Sequence, residues 1–213
     1  MKTIVLSPQK PILNEIDRVI NLFEEGLSIF HLRKPHYSIK KMKSYLNKIP
    51  SDYHNRIVVH SHHKLAIKYN LKGIHLSAKT KKERFKTWFK IRSIKRKNPW
   101  ITISTSLHSI NDLDQYDDLY DYVFLSPIFD SITSKNYQSG FKEFNLSSAI
   151  RRSNYKVVAL GGVDNHNIKN AFNMGFWGCA FLGTIWTNES PKEKFEGIKE
   201  ICNSFKNQST KYD

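Results

Sequence analysis

Imidazole, hydroxyl and cationic side chains gather at the ends of four successive apolar runs in the first half of the chain. The four ends read His31-Leu-Arg33-Lys34, His60-Ser61-His62, His75-Leu-Ser77 and Ser106-Leu-His108. An arginine fork binds phosphate or carboxylate through two parallel hydrogen bonds, so these ends predict a site for an anionic substrate. His108 is the candidate catalytic residue. The candidate substrate-binding residues at these ends are His31, Arg33, Lys34, His60, Ser77 and Ser106.

Each of these side chains also has a purely structural interpretation. A histidine at a strand end is often a hydrogen-bonded packing residue, and this interpretation is preferred for His75. For His108 the catalytic interpretation is preferred, because the residue lies just past the end of its run. A zinc site built from His31, His60 and His108 is a further alternative, although no His-x-x-x-His pair or cysteine supports it. For Arg33 the alternative is a structural salt bridge.

Two glycine-bearing runs near the C-terminus predict a phosphate site. One spans residues 156–162 and stops at two glycines, and the other spans residues 178–184 and stops at Gly-Thr. Glycine lets backbone amides approach an anion closely, because no Cβ intervenes and positive φ costs little. Strands seven and eight of a (β/α)8 barrel often supply such a site beside a helix N-terminus. The predicted phosphate-binding residues are Gly161, Gly162, Gly183 and Thr184.

The longest stretch without helical or strand periodicity covers residues 128–145. It follows an apolar run that ends in Ser126-Pro127, and it contains Ser134 and Lys135. Long loops in compact domains are typically functional, so this segment predicts a lid over an anionic substrate. Ser126, Ser134 and Lys135 are its candidate substrate-binding residues, and a merely solvated loop is the alternative.

Short β-branched runs alternate with helix-like segments along the whole chain, which is typical of stacked βαβ units. The predicted strands cover residues 4–7, 28–33, 56–61, 73–77, 101–106, 121–127, 156–162 and 178–185. The predicted helices cover residues 12–25, 39–47, 63–69, 81–97, 110–119, 146–152, 165–174 and 191–205. The fold class is therefore α/β, a TIM barrel of eight parallel strands. Residues 1–205 form a single domain in this prediction, and residues 206–213 form a tail.

The chain is strongly basic, with 34 Lys and Arg against 19 Asp and Glu and a formal charge of +15. Such a charge favours acidic ligands, and nucleic acid is one alternative. However, apolar residues interrupt the densest basic run, residues 79–97, at helical spacing. This pattern predicts an amphipathic helix with a solvated basic face and no nucleic-acid partner. Its aromatic residues Trp88 and Phe89 are candidates for a homodimer interface.

Cysteine usage and hydropathy set the expected compartment. Cys179 and Cys202 have neither a disulfide framework nor metal-ligand spacing, so both are expected to be reduced and structural. No apolar segment reaches 18 residues, and the first apolar run is too short for a signal sequence. A cytoplasmic protein without a membrane partner is therefore expected.

The order of these motifs resembles the thiamin phosphate synthase and TenI family over nearly the whole chain. His31-Leu-Arg33 stands at the family's Gln-x-Arg-x-Lys, Gly73-Ile-His-Leu76 matches Gly-Val-His-Leu, and Ser106-Leu-His-Ser109 matches Ser-x-His-Ser. Ser126-Pro-Ile-Phe129 resembles Gly-Pro-Ile-Phe, and residues 131–135 resemble the Thr-x-Thr-Lys loop. Val157-Val-Ala-Leu-Gly-Gly-Val163 is a sixth motif in register.

The resemblance implies a thiamin-pathway barrel that holds a thiazole phosphate or thiamin phosphate between strands seven and eight. In the synthases, Mg²⁺ and basic groups bind the diphosphate of hydroxymethylpyrimidine diphosphate while the thiazole nitrogen displaces it. The family's Asn-Asp after strand three is His60-Ser61 in this chain, and residues 77–80 lack the next expected Asp. Because Mg²⁺ prefers oxygen ligands, we expect it as a cofactor only if synthase activity is retained.

Three functional hypotheses follow from the resemblance. TenI-like members lack synthase activity, and some use a histidine to move a proton during aromatisation of a thiazole phosphate; His108 stands at that position. The first hypothesis is therefore a TenI-like thiazole tautomerase with His108 as proton shuttle, since an imidazole can accept and return a proton at cytoplasmic pH. The second is a thiamin phosphate synthase, and the third is a non-catalytic binder of thiamin phosphates.

Overall fold

Eight parallel strands form a closed barrel in the computed structural model, which describes residues 1–77, 84–130 and 143–205. The strands are β1 Lys2–Leu6, β2 Ile29–Leu32, β3 Ile57–Val59, β4 Gly73–Leu76, β5 Thr102–Leu107, β6 Tyr122–Leu125, β7 Val157–Leu160 and β8 Gly178–Phe181. Each strand pairs with the next, and β8 closes the barrel against β1 in parallel register. The predicted TIM-barrel fold is confirmed.

Helices follow most strands and cover the outside of the barrel. Those in the described residues are α1 Glu15–Glu24, α2 Ile39–Asn47, α3 Lys64–Lys68, α4 Arg84–Lys97, α5 Glu143–Arg152, α6 Ile168–Met174, α7 Gly183–Trp186 and α8 Pro191–Ser204. Short 3-10 helices span Ser51–Arg56 and Ile110–Asp114. The bounds of α2 agree with the sequence prediction.

Strand side chains alternate between the barrel interior and the layer under the helices, as a period of two requires. Along β1, Ile4 and Leu6 belong to a small interior cluster, whereas Val5 belongs to the larger core between sheet and helices. Ile29 joins the same interior cluster, and His31 follows it by two residues on β2. Alternation thus directs His31 into the barrel, where it is fully buried.

Two predicted elements differ from the structure, one because of a local turn and the other because of a tertiary contact. Residues 110–119 contain only a 3-10 helix, because the Asp117 carboxylate accepts the Leu119 amide at 3.1 Å and closes a turn that competes with helix. The eighth predicted strand ends at Phe181, and α7 begins two residues later. The indole of Trp186 in α7 donates to the Leu6 carbonyl at 2.6 Å, which holds this short helix over β1.

Other expectations concern the cysteines, the surface and the chain end. Cys179 and Cys202 are buried free thiols. Phe89 is 66% exposed, whereas Trp88 is partly buried, so the homodimer interface stays a prediction. Among the described residues, none of the helices has the length and apolar character that a bilayer-spanning segment needs. The predicted tail, residues 206–213, lies outside the described residues, and the single-domain boundary stays a prediction.

Candidate functional site

A buried polar network lies inside the barrel between the ends of β2 and β3 and the start of β6. His31 Nδ1 is 2.9 Å from His60 Nε2, and His31 Nε2 is 2.7 Å from the Tyr122 hydroxyl. The aromatic ring of Phe124 contacts His31 edge-on, with 4.9 Å between ring centroids. Both nitrogens of His31 are therefore engaged, and apolar packing fixes its ring.

His75 extends this network toward β5. Its Nδ1 lies 2.9 Å from Ser104 Oγ, and its Nε2 lies 3.2 Å from Ser106 Oγ. The His75 ring also stacks on His60 at a centroid distance of 4.1 Å and an interplanar angle of 21°. His75 is thus a buried, hydrogen-bonded packing residue, as the sequence analysis preferred, and it is also a central member of the network.

The three histidines of this network are neutral imidazoles at neutral pH. Burial lowers the pKa of His31 and His60 well below the usual histidine value, with further lowering from neighbouring imidazoles. Burial and then the nearby Arg33 charge lower the pKa of His75 to about 3. Burial raises the pKa of the Tyr122 hydroxyl, which stays protonated. The network can therefore donate and accept hydrogen bonds without carrying charge.

His108 lies apart from this network. Its side chain is exposed, and its Nδ1 is 3.1 Å from the Ser126 carbonyl oxygen. When Nδ1 donates to that carbonyl, Nε2 is left with its lone pair. The predicted zinc set of His31, His60 and His108 is therefore corrected: the ligand atoms that come within 4.8 Å of one another belong to His31, His60 and His75.

Lys34 is not at the barrel mouth as a free cation. Its side chain is fully buried, and its Nζ lies 2.7 Å from Glu15 Oε2 and 2.6 Å from the Pro8 carbonyl. Tyr45 donates to the other Glu15 oxygen at 2.8 Å. Burial lowers the pKa of the Lys34 ammonium, and the Glu15 carboxylate opposes this shift. The substrate-binding expectation for Lys34 is therefore corrected, because its ammonium is fully used in holding the fold.

Arg33, one residue earlier, has the opposite environment. Its amide donates to Ser7 Oγ at 2.9 Å, and the Ser7 hydroxyl returns a bond to the Arg33 carbonyl at 3.2 Å. This exchange fixes the backbone at the end of β2, while the residue itself is exposed. Within the described chain its guanidinium has no hydrogen bond or ion pair. Its charge nevertheless lowers the pKa of both His60 and His75, so it lies close to the histidines.

The predicted phosphate cradle is built by positive φ angles and by close backbone packing. Gly161 has φ of 91° and Gly162 has φ of 66°. A Cβ on Gly162 would overlap the carbonyl oxygens of Phe129 and Asp130, in the segment that follows β6. The Phe129 amide donates to the Gly161 carbonyl at 3.1 Å and holds the two segments together. Only glycine therefore fits at residue 162.

Adjacent strand ends complete the cradle. Thr184 is buried, and its hydroxyl donates to the Val163 carbonyl at 2.5 Å, which ties α7 to the end of β7. The Thr184 hydroxyl proton is therefore already used. By contrast, the amides of Gly162 and Gly183 donate to no acceptor in the described residues. Both amides are therefore open donors at these strand ends.

The other candidate substrate-binding residues are serines near strand ends and two residues of the predicted lid. Ser106 bonds His75, as described, and Ser77 follows the last residue of β4. Ser126 follows β6 and offers its carbonyl to His108. Ser134 and Lys135, with residues 131–142 of the predicted lid, lie outside the described residues. The predicted loop of residues 128–145 is shorter than expected at its C-terminal end, because α5 begins at Glu143.

Known proteins share both the sequence pattern and the fold. The family profile described as thiamine monophosphate synthase matches residues 3–185. The chain belongs to this family. The thiamine-phosphate synthase of Psychrobacter sp. is 24% identical over 187 residues, covering 85% of this chain and 84% of the relative. That of Caldicellulosiruptor bescii is 26% identical over 196 residues, covering 90% and 86%.

Solved structures of the family superpose well on this chain. Thiamine phosphate pyrophosphorylase from Bacteroides thetaiotaomicron is 31% identical, with a TM-score of 0.76, covering 95% of this chain and 98% of that protein. The Pyrococcus furiosus protein of the same name is 17% identical with a TM-score of 0.74, covering 95% and 96%, and supports the fold alone. Membership of the thiamine monophosphate synthase family thus rests on sequence and on structure.

The Mg²⁺ site that the family implies does not fit the residues of this member. The chain carries His60 and Ser61 where an Asn-Asp pair is expected after strand three. The Ser61 hydroxyl oxygen is buried and has no hydrogen-bond partner within the described chain. Hard Mg²⁺ prefers several oxygen ligands, commonly carboxylates, and an imidazole is a poor substitute. No catalytic step through Mg²⁺ can be derived from these residues.

Proposed function

We propose that this protein is a thiamin-phosphate-synthase-type transferase that binds a thiazole phosphate at the cradle formed by Gly161, Gly162, Gly183 and Thr184. The observation that carries this proposal is the pair of open amides at Gly162 and Gly183, on neighbouring strand ends tied by the Thr184 bond. Backbone amides without a protein acceptor are suited to a phosphate dianion. The names of the relatives support the synthase reaction over other thiamin-pathway chemistry.

In the proposed reaction the thiazole nitrogen attacks the methylene carbon of hydroxymethylpyrimidine diphosphate, and diphosphate leaves. The exposed guanidinium of Arg33 is the described cation best placed to bind the leaving diphosphate, because it has no other partner in the described residues. The neutral imidazoles of His31, His60 and His75 add no charge beside the substrates. Substrate orientation by these groups is the part of the reaction that this chain's residues account for.

One assay tests the proposed function. Purified protein is incubated with thiazole phosphate and hydroxymethylpyrimidine diphosphate, with Mg²⁺ in one sample and with chelator in another, and thiamin phosphate and diphosphate are quantified. We expect equal amounts of both products. Absence of both products in every sample, with thiazole phosphate still bound, would mean that the protein binds this ligand without synthase activity.

Replacing Arg33 by Gln is expected to lower the affinity for hydroxymethylpyrimidine diphosphate roughly 10- to 100-fold, the range for one lost hydrogen bond to a charged group. Affinity for thiazole phosphate should change little. Arg152→Gln is the matched control, since Arg152 is exposed on the outer helix α5 and bonds only Ser148 among the described residues. Calorimetric titration of each ligand provides the measurement. An equal loss in both variants would mean that net charge alone matters.

A second candidate function is supported by the position of His108. Proton transfer on a thiazole carboxylate phosphate needs an accessible base and no metal, and His108 is exposed with its Nδ1 held by the Ser126 carbonyl. Replacing His108 by Ala is expected to slow tautomerisation about 100-fold, the lower range for a general base, while affinity for thiazole phosphate stays the same. NMR of the two tautomers follows the reaction. Equal rates in the wild type and the variant would exclude His108 as the shuttle.

A further inference from the structure

Three imidazoles converge inside the barrel at the ends of β2, β3 and β4. One ring nitrogen from each of His31, His60 and His75 lies within 4.8 Å of the others. We propose that these three histidines bind one divalent transition-metal ion of the zinc class. This goes beyond the proposed function, which assigns no metal to the chain.

The ring positions already approach those of a three-histidine centre. The ring centroids are separated by 5.1 Å for His31 and His60, 5.7 Å for His31 and His75, and 4.1 Å for His60 and His75. Three imidazoles on one tetrahedral ion, with zinc–nitrogen bonds of about 2 Å, place their ring centres roughly 5 Å apart. Binding therefore requires the His60 ring to turn out of its stack on His75 while the other rings stay in place.

His60 is the histidine best placed to make this turn. It is the least buried of the three, and among the described residues its side chain contacts the other two rings. The same turn opens the present contact of 2.9 Å between His31 Nδ1 and His60 Nε2. Those two nitrogens, which now share a proton, would both face the ion.

The outer nitrogens of the other two ligands are already anchored. Tyr122 lies 2.7 Å from His31 Nε2, and Ser104 lies 2.9 Å from His75 Nδ1. Metal-binding histidines almost always donate their second ring N–H to such a partner, which fixes the tautomer and the ring orientation. His31 is thereby left with Nδ1 as its ligand atom. His75 is left with Nε2, whose 3.2 Å contact with Ser106 Oγ must open on binding.

The donor set selects the type of ion. Imidazole nitrogen suits zinc, copper, iron and nickel, whereas magnesium and calcium require oxygen. An imidazole coordinates a metal ion in its neutral form. Three neutral ligands leave the full double charge on the ion, close to the positive Arg33. An anionic oxygen at the fourth position would balance that charge, which suits a barrel that takes phosphorylated substrates.

The test begins with the full chain stripped by chelator and titrated with Co²⁺ in phosphate-free buffer. We expect the visible absorption of tetrahedral Co²⁺ to saturate at one ion per chain and to be abolished by one equivalent of Zn²⁺. His60→Gln should weaken binding about 100-fold or more, and Tyr122→Phe roughly 10-fold, as loss of an outer partner does. His108→Gln, outside the cluster, should bind like the wild type.

One further measurement uses the wild type alone, so that a folding defect in a variant cannot affect the result. X-ray absorption of the Zn²⁺-loaded wild type should count three imidazole ligands. An oxygen-dominated shell, the lack of a stoichiometric Co²⁺ signal, or unchanged affinity in a folded His60→Gln variant would overturn the proposal. Titration of the same samples with thiazole phosphate separates this outcome from failure of the proposed function, because the cradle contains none of the three histidines.

Discussion

Replacing Glu15 by Gln is expected to lower the free energy of unfolding by about 3–5 kcal/mol, the usual cost of leaving one charge of a buried ion pair without its partner. In the wild type the Lys34 ammonium is fully buried at 2.7 Å from Glu15. The Pro8 carbonyl and the Tyr45 hydroxyl complete the hydrogen bonding of the pair. In the variant, the ammonium would keep only neutral partners, chiefly the Pro8 carbonyl.

Urea unfolding at neutral pH measures this effect. The double variant Glu15→Gln with Lys34→Met should recover most of the lost stability, because removing both charges also removes the cost of burying them. Lys192→Gln is the control, since it breaks an ion pair with Glu25 that is exposed to solvent and should leave the unfolding midpoint close to that of the wild type. If Glu15→Gln unfolds at the same urea concentration as Lys192→Gln, the buried pair does not stabilise the fold.

Replacing Gly162 by Ala is expected to weaken thiazole phosphate binding about 100-fold or more. The added Cβ would overlap the Phe129 and Asp130 carbonyls, and φ of 66° is costly for alanine. The strand ends must then separate, which misplaces the Gly162 and Gly183 amides. Two hydrogen bonds to a dianion, each contributing about 1.5–3 kcal/mol, account for this loss.

Gly26→Ala provides the matched control for this prediction. Gly26 has φ of 90°, but a Cβ there meets nothing within 4 Å, and the residue lies between α1 and β2, away from the cradle. It therefore reports the effect of backbone strain alone. Calorimetric titration with thiazole phosphate should give wild-type affinity for Gly26→Ala. If Gly162→Ala also binds with wild-type affinity, the phosphate lies elsewhere.

The barrel was predictable from sequence because its signals are local. The alternation of short strands and amphipathic helices follows from the period of the hydrophobic residues and the positions of the glycines. For α2, the local pattern also predicted the first and last residues of the helix. The failed prediction of a helix over residues 110–119 has an equally local origin, since the Asp117 turn competes with helix there. The predicted end of the eighth strand was wrong, because Gly183 and Thr184 fit a continuing strand by sequence. Only tertiary contacts make them the start of α7.

The site was less predictable, since its geometry depends on contacts between distant strands. Lys34 looked like a cation at the mouth, because no sequence pattern reveals that Glu15, on the preceding helix, reaches its ammonium. The role of His75 could have been found by applying period-two alternation to β4 and β5 together, which faces it toward Ser104. Tyr122 lies in an apolar strand, and only the structure shows its hydroxyl 2.7 Å from His31 Nε2.

Closure of the barrel by β1 and β8 has a consequence for how the chain folds. The register pairs Lys2 with Gly178, so the seam joins segments separated by most of the sequence. Contacts of such long sequence separation form slowly, because a large loop must close before they contribute. Until β8 docks, the incomplete sheet presents two open edges that can pair with other chains. Folding yield should therefore fall with rising protein concentration more steeply than equilibrium stability alone would indicate.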